Sequence, residues 1–269
     1  MQTQQAGQGT PLVYSVRNEG GIETGSFIVT KIYTAYILIY SAIIFGYGSL
    51  AAFAAFLFFG ALSVVNLGMN DATAILFDTG LSLLFFIQHS IMARRSFRRS
   101  TTVFMPEEYY RAFYAITSGI VLLIIIVLWQ KTAYSLPVIK GFFRWTFRLF
   151  FLISVAGFIW GSRSLKHFDP LGIRNVLNRL RGRKPWQTPF IVKGAYRWVR
   201  HPLYFFALLM IWSSPDLTAD RMLFNVLWTL WIVTGSVFEE RDLVDEFGDE
   251  YREYQQKVPM LIPVRFPDD

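Results

Sequence analysis

The chain has 269 residues, no cysteine and three histidines, His89, His167 and His201. Without cysteine it cannot form a disulfide, a thiolate metal site or a cysteine nucleophile. A histidine-only metal site would need all three histidines, and a structural zinc site needs four ligands. The composition therefore predicts no metal site.

The chain also has few charged residues, and it lacks the common nucleotide-binding motifs. Charged residues make up 17% of the chain, against 53% hydrophobic and 17% aromatic residues, and the mean hydropathy is +0.36. A soluble domain would be more polar. There is no P-loop, no Gly-x-Gly-x-x-Gly and no Gly-x-Ser-x-Gly. These absences exclude the common soluble nucleotide-binding and hydrolase classes and favour one integral membrane domain.

Apolar segments that approach the ~20 residues of a bilayer crossing define the architecture. The first, 32–66, exceeds one bilayer thickness, and a single crossing is favoured over a surface segment followed by a span. We predict an all-α, polytopic helical bundle of about five spans, in which residues 1–31 form a polar N-terminal segment and 32–269 the membrane domain. A short apolar run follows Pro202, so the last two runs are able to form a helical hairpin. The five predicted spans are 32–66, 72–93, 111–129, 145–162 and 221–238.

The basic residues give the bundle an orientation. Of 26 lysines and arginines, 21 lie in the segments 1–31, 94–111, 163–201 and 239–269. Alternating spans place all four segments on one side, which the positive-inside rule makes cytoplasmic. In a soluble protein the net charge of +7 would suggest nucleic acid. Here we expect the charge to set topology and to meet anionic lipid headgroups, with no nucleic-acid partner.

The stretch from Tyr196 to Tyr204 meets an apolar helix at the predicted membrane surface. Pro202 suits the first helical turn because it lacks an N–H and has a preset φ. His201 then falls at the cap and Arg200 just outside it. An imidazole, a guanidinium and free helix-start amides suit a small anionic or zwitterionic group. The alternative is a basic membrane-edge cap that touches lipid phosphate.

Two later groups could complete a site. Glu239 and Glu240 are adjacent, so on a helix they point about 100° apart and do not easily enter one pocket. One is expected to bind a ligand and the other to pair with an arginine, although a solvated face is the ordinary reading. Tyr251 and Tyr254, three residues apart, share a helix face. Interfacial packing is the alternative for these tyrosines.

Polar residues at the end of the second predicted span form a further candidate. Gln88 and His89 are unexpected inside a membrane segment, where polar groups often mark function, and Arg94 follows at the boundary. The alternative is that they face headgroups. His167 more plausibly helps to fold the loop that follows it.

These stretches resemble the isoprenylcysteine carboxyl methyltransferase superfamily, which consists of integral membrane enzymes that use S-adenosyl-L-methionine. The resemblance rests on Arg200-His-Pro-Leu-Tyr204, Glu239-Glu-Arg-Asp-Leu243 and Gly248-Asp-Glu-Tyr-Arg-Glu-Tyr254, with Val258-Pro259 following. Gln88-His-Ser-Ile-Met-Ala-Arg94 and Phe168-Asp-Pro-Leu-Gly-Ile-Arg174 are similar to one subgroup, the methanethiol S-methyltransferases with the NnrU and nurim proteins. The resemblance begins near residue 50 and ends at Pro263.

The resemblance implies transfer of a methyl group from S-adenosyl-L-methionine to a small lipophilic thiol, with methanethiol giving dimethyl sulfide. It implies a cofactor-binding region in 190–263 on the cytoplasmic side of a bacterial inner membrane. The cofactor-binding residues are expected to be Tyr196, Arg200, His201, Pro202, Tyr204, Glu239, Glu240, Tyr251 and Tyr254. Arg200, His201 and Glu239 are the catalytic candidates, and Arg200 is expected to pair with the methionyl carboxylate. Gln88, His89 and Arg94 are expected on the substrate side.

Three alternatives stay open at this point. The acceptor is another lipophilic group, such as a prenylcysteine carboxylate. The chain is a non-enzymatic, nurim-like membrane scaffold. Or His89 and His201 are axial ligands of a haem. No residue stands out as the base that takes the thiol proton, and the sequence gives no oligomeric state.

Overall fold

The computed structural model describes residues 16–18, 21–23, 25–136, 139–165, 169–186 and 189–265. Two short strands, β1 (Val16–Asn18) and β2 (Gly21–Glu23), pair antiparallel, and every longer described element is helical. The loop residues His167 and Phe168, which were considered above, lie outside the described residues.

Five described helices are long and apolar enough to cross a membrane, as predicted. The first candidate span, Val29–Phe59, is one continuous helix that contains a short π-helical segment, in keeping with a single crossing. Exposed apolar side chains cover the outside of the spans; in Gly141–Ser164 only 11% of the most apolar stretch is buried. The helices are α1 (Gly25–Ala42), a π-helical segment (Ile43–Tyr47), α2 (Gly48–Phe59), α3 (Asp71–Ala93), α4 (Arg95–Thr101), α5 (Tyr110–Leu128), α6 (Gly141–Ser164), α7 (Ile173–Leu180), α8 (Pro202–Trp212), α9 (Ala219–Phe247) and α10 (Asp249–Lys257).

Two boundaries differ from the prediction. The first span ends at Phe59, not at residue 66, because Gly60 takes a positive φ of 87° that the helix cannot continue through. The last span does not end at residue 238. It continues to Phe247, where Gly248 with φ 59° ends it. Glu239 and Glu240 therefore lie inside a continuous helix.

The last two apolar runs form the predicted helical hairpin. Near the loop between them, the Trp212 indole N–H donates to the Thr229 hydroxyl at 3.0 Å. At the other end, the Tyr204 hydroxyl donates to Glu239 at 2.6 Å. The start of α8 thus contacts a late part of α9 and the end of α8 an earlier part, so the two helices are antiparallel. This pairing carries the C-terminal part of α9 back to the start of α8.

α3 and α9 run side by side in the same direction. Phe85 and Trp228 stack with ring centroids 5.1 Å apart, and Phe86 stacks on Trp231 at 4.8 Å. The Trp231 indole N–H also donates to Ser90 at 3.2 Å. These aromatic contacts belong to the main core of the bundle and place the C-terminal halves of α3 and α9 at one end of it.

At the opposite end of the bundle, two buried carboxylates, Asp220 and Asp78, accept hydrogen bonds from the residues that follow α5. Asp220 accepts hydrogen bonds from the Trp129 indole at 3.2 Å and from the Thr132 amide and hydroxyl. Asp78 accepts from the Gln130 amide at 3.0 Å. These carboxylate oxygens therefore satisfy two backbone N–H groups of the segment that follows α5.

The π-helical segment lets α5 approach α1 and α2 closely. A Cβ atom added at Gly119 of α5 would lie 2.2 Å from the Phe45 carbonyl oxygen. Small residues allow such close backbone contact between membrane helices. The widened turn is held by the Ser49 hydroxyl, which donates to the Gly46 carbonyl at 2.9 Å.

We expect Gly119→Ala to lower the free energy of unfolding by about 1–3 kcal/mol, because the new methyl group overpacks this contact. Gly80→Ala is the matched control, since Gly80 is also helical and a Cβ there meets nothing within 4 Å. Thermal unfolding of both variants in detergent measures the difference. Equal stability of the two variants would contradict the close approach.

Candidate functional site

Arg200 and His201 are held where α8 begins. Pro202 occupies the first turn of α8 and His201 its N-cap, as predicted. The Arg200 amide donates to the Pro259 carbonyl at 2.9 Å and the His201 amide to the Met260 carbonyl at 3.1 Å. The C-terminal segment thus satisfies the two amides before the helix, and these two amides are not open to a ligand.

Arg200 makes an ion pair with Glu240 inside the protein. Its Nε and Nη2 donate to the two Glu240 carboxylate oxygens at 2.5 and 2.9 Å. Its Nη1 donates to the carbonyls of Gln255 at 2.9 Å and Val258 at 2.5 Å. Such two-pronged contact is the strongest geometry for a guanidinium and a carboxylate. Of the two adjacent glutamates, Glu240 is therefore the one that pairs with an arginine.

Glu240 is the centre of a wider cluster. His201 Nε2 lies 3.2 Å from one carboxylate oxygen, and the Gln255 amide donates to the other at 2.9 Å. The Tyr251 hydroxyl lies 3.4 Å away as a further donor. Glu240 and Arg200 side chains are only 11% and 10% exposed. A buried ion pair is stable only when its remaining hydrogen-bonding groups are satisfied, which these contacts achieve.

Glu239 has a different environment. Its carboxylate is 45% exposed, accepts the Tyr204 hydroxyl hydrogen bond at 2.6 Å and lies 3.7 Å from His201 Nδ1. The rings of His201 and Tyr204 stack with centroids 5.4 Å apart. The two adjacent glutamates therefore have different surroundings. Glu240 is enclosed, whereas Glu239 remains accessible beside the two stacked rings.

Tyr251 and Tyr254 lie on the buried face of α10. Phe190 packs against both rings, and the Tyr254 hydroxyl donates to the Tyr196 carbonyl at 2.5 Å. Burial raises the pKa of each phenol, with the Glu240 carboxylate the second cause at Tyr251, so both hydroxyls stay protonated. A cavity of about 330 Å³ adjoins this face. Its lining includes Phe190, Arg197, Tyr254 and Lys257.

The α3 candidates separate in the structure. His89 Nε2 lies 2.6 Å from the Tyr114 hydroxyl of α5, whereas the Gln88 amide donates to Met92 and to Ser118. Arg94 lies over the Phe238 ring of α9, 4.8 Å from its centroid, and is half-exposed. Only His89 of the three enters the aromatic core of the bundle.

The structure thus gathers the candidate cofactor residues into one cluster at one end of the bundle. Their roles toward a cofactor stay predictions, and so do the substrate roles of Gln88, His89 and Arg94. The Nε2 atoms of His89 and His201 have protein partners, which does not favour the haem interpretation. Sequence reasoning missed Gln255 and Tyr114. Gln255 lies four residues after Tyr251 and could have been found from helical spacing, whereas Tyr114 carries no local signal.

Comparison with known proteins decides the family. The model of the family described as "NnrU protein" matches residues 79–260, which contain the whole Arg200, His201, Glu239 and Glu240 cluster. The chain belongs to the NnrU family.

Named relatives extend this family assignment. The methanethiol S-methyltransferase of Pseudomonas sp. is 39% identical to this NnrU-family chain, over 74% of this chain and 76% of that protein. The protein of the same name from Pseudomonas deceptionensis is 34% identical over 73% and 75%. Nurim of Rattus norvegicus is 25% identical over 62% and 66%. No solved structure matches the chain.

We expect Glu240→Gln to destabilise the protein by about 3–5 kcal/mol, because it leaves the buried Arg200 guanidinium without a counter-ion. Glu246→Gln is the control. Glu246 lies on the same helix as Glu240 and forms an ion pair with Arg95 of α4 at 2.7 Å, but both side chains are about half exposed. Loss of this exposed ion pair should cost at most about 1 kcal/mol. Thermal unfolding in detergent compares the variants. A smaller effect at Glu240 than at Glu246 would contradict the role of the buried pair.

Proposed function

We propose that the chain is an integral membrane methyltransferase that transfers a methyl group from S-adenosyl-L-methionine to methanethiol, giving dimethyl sulfide. The supporting observation is the similarity to proteins named methanethiol S-methyltransferase, which are 34–39% identical over about three quarters of the chain. The family match spans both parts of the Arg200–Glu240 cluster. The shared sequence thus contains every residue of that cluster.

The residues around Glu239 fit the proposed cofactor. S-adenosyl-L-methionine carries an ammonium, a sulfonium and ribose hydroxyls, all of which a carboxylate or an aromatic face attracts. Glu239 offers an accessible carboxylate, and the His201 and Tyr204 rings lie beside it. When bound, the cofactor supplies an electrophilic methyl group, so the protein mainly binds, orients and excludes water.

Arg200 acts differently from the sequence expectation in this proposal. The Arg200 guanidinium already donates to Glu240 and to two backbone carbonyls. The predicted ion pair between Arg200 and the methionyl carboxylate would therefore have to compete with these contacts. We assign Arg200 and Glu240 a positioning role. They fix His201 at the start of α8 and, through α9, fix Glu239 one residue away.

The proposed site lies at the membrane boundary. The lysines and arginines of segments 94–111 and 163–201 support a position on the cytoplasmic side of a bacterial inner membrane, where anionic headgroups meet them. A charged cofactor then reaches Glu239 from water. A small lipophilic thiol reaches the same end through the lipid between helices.

The test is headspace gas chromatography on the purified protein in detergent. Dimethyl sulfide should form only when S-adenosyl-L-methionine and methanethiol are both present. Cofactor binding without product would keep the methyltransferase and replace the acceptor, for example by a prenylcysteine carboxylate. Absence of both cofactor binding and product would favour a non-enzymatic membrane scaffold.

We expect Glu239→Gln to weaken S-adenosyl-L-methionine binding by roughly ten- to hundred-fold, which corresponds to loss of one charge-assisted contact. Isothermal titration calorimetry measures the affinity. Glu246→Gln, two turns further along α9, removes a carboxylate at the same end without touching the site and should bind normally. Unchanged affinity in Glu239→Gln would remove Glu239 from the cofactor site.

A further inference from the structure

His89 is an imidazole enclosed by aromatic rings at the inner edge of the proposed site. The rings of Phe85, Tyr114 and Trp231 surround it, with centroids 5.1–5.2 Å from its own. His89 Nε2 is hydrogen bonded to Tyr114, but its Nδ1 is buried and has no partner among the described residues. Buried polar atoms are almost always hydrogen bonded, so this nitrogen requires a partner.

The other ionisable groups of the described cluster are engaged. His201 lies between both glutamates, within 3.2 Å of Glu240 and 3.7 Å of Glu239. Glu240 is held by Arg200, and Glu239 accepts from Tyr204. In the described residues His89 Nδ1 is therefore the buried basic nitrogen that remains available for a proton.

His89 lies deeper in the bundle than the place where the methyl donor is proposed to bind. Trp231, whose ring contacts His89, precedes Glu239 by eight residues on α9, which is about 12 Å along the helix. The titratable group in contact with the imidazole is Tyr114 on α5, and the next ones toward the end of the bundle are Glu239 on α9 and its partner Tyr204 on α8. An acceptor molecule between His89 and Glu239 would lie with the apolar cage on one side and the charged site on the other.

We propose that His89 is the catalytic residue that takes the proton of the thiol, and that Tyr114 is its positioning residue. This inference rests on the proposed function and names the base that the sequence did not. With Nε2–H donating to the Tyr114 oxygen, Nδ1 carries the lone pair that accepts the proton.

The proposed reaction consists of a proton transfer to His89 and a methyl transfer to the thiol sulfur. The S–H bond of the thiol breaks, and its proton moves to His89 Nδ1, giving an imidazolium beside a thiolate. The sulfur electron pair forms the new S–C bond to the methyl group as the donor's sulfonium C–S bond breaks and returns its pair to the donor sulfur. The imidazolium then releases its proton to water. Attraction between the thiolate and the imidazolium offsets the cost of creating charge in a buried site.

The experiment compares two acceptors of nearly the same shape. Methanethiol carries its proton at neutral pH, whereas methaneselenol is already ionised and needs no base. We expect His89→Gln to reduce kcat/KM for methanethiol by about 10²- to 10⁴-fold, the usual contribution of a general base. It should reduce kcat/KM for methaneselenol by less than about tenfold, within the range that a packing change alone produces. Headspace gas chromatography measures dimethyl sulfide and dimethyl selenide.

The pH profile gives a second readout. In His89→Gln the rate with methanethiol should rise roughly tenfold per pH unit, because only solvent then supplies the thiolate. The wild-type protein should rise less steeply, because its own base supplies the thiolate. Tyr114→Phe keeps the ring but removes the hydroxyl, and we expect the same preference for the selenol with a smaller loss. Equal slopes in the wild type and His89→Gln would overturn the proposal.

The other possible results distinguish failure of the His89 role from failure of the proposed methyltransferase function. Equal loss on both acceptors, in a folded variant that binds S-adenosyl-L-methionine, would overturn the role of His89 and leave the methyltransferase standing. If His89→Gln does not fold, equal loss on both acceptors in Tyr114→Phe would overturn it instead. No product from the wild-type protein with either acceptor would overturn the proposed function, and this inference with it.

Discussion

The arrangement at this end of the bundle depends on one buried ion pair, Arg200 with Glu240. A charge removed from water is costly unless an opposite charge and further hydrogen bonds replace the lost solvation. The pair has both, because the Gln255 side chain and the carbonyls of Gln255 and Val258 complete its contacts. It therefore ties the start of α8, the C-terminal half of α9 and the segment after α10 to one another.

This pair explains how two adjacent glutamates acquire different surroundings. On one continuous helix, side chains of neighbouring residues point about 100° apart. Once Arg200 draws Glu240 into the protein, Glu239 must turn toward the face of α8, where Tyr204 and His201 lie. The accessible carboxylate is thus placed by the enclosed one, and its position does not rely on its own exposed contacts, which are individually weak.

The sequence predicted those features that local patterns determine. Hydrophobic runs located the spans, and Pro202 located the start of α8. Features that depend on tertiary contact were missed. Nothing local distinguishes Glu240 from Glu239, and no pattern links His89 to a tyrosine 25 positions away. The end of α9 was placed too early because polar residues resemble a span's end, although a helix continues wherever its polar face finds partners.

The proposed site adjoins the two environments that its proposed ligands prefer. Charged groups are favoured near water and small apolar molecules within lipid. Glu239 is half-exposed, whereas His89 lies among Phe85, Tyr114 and Trp231 of the apolar core. Trp231, which contacts the His89 ring, lies eight residues before Glu239 on α9, so about 12 Å of one helix joins these two environments. A fold that joins a polar helix end to an aromatic cage therefore brings a charged donor and an apolar acceptor together without moving either far from its preferred solvent.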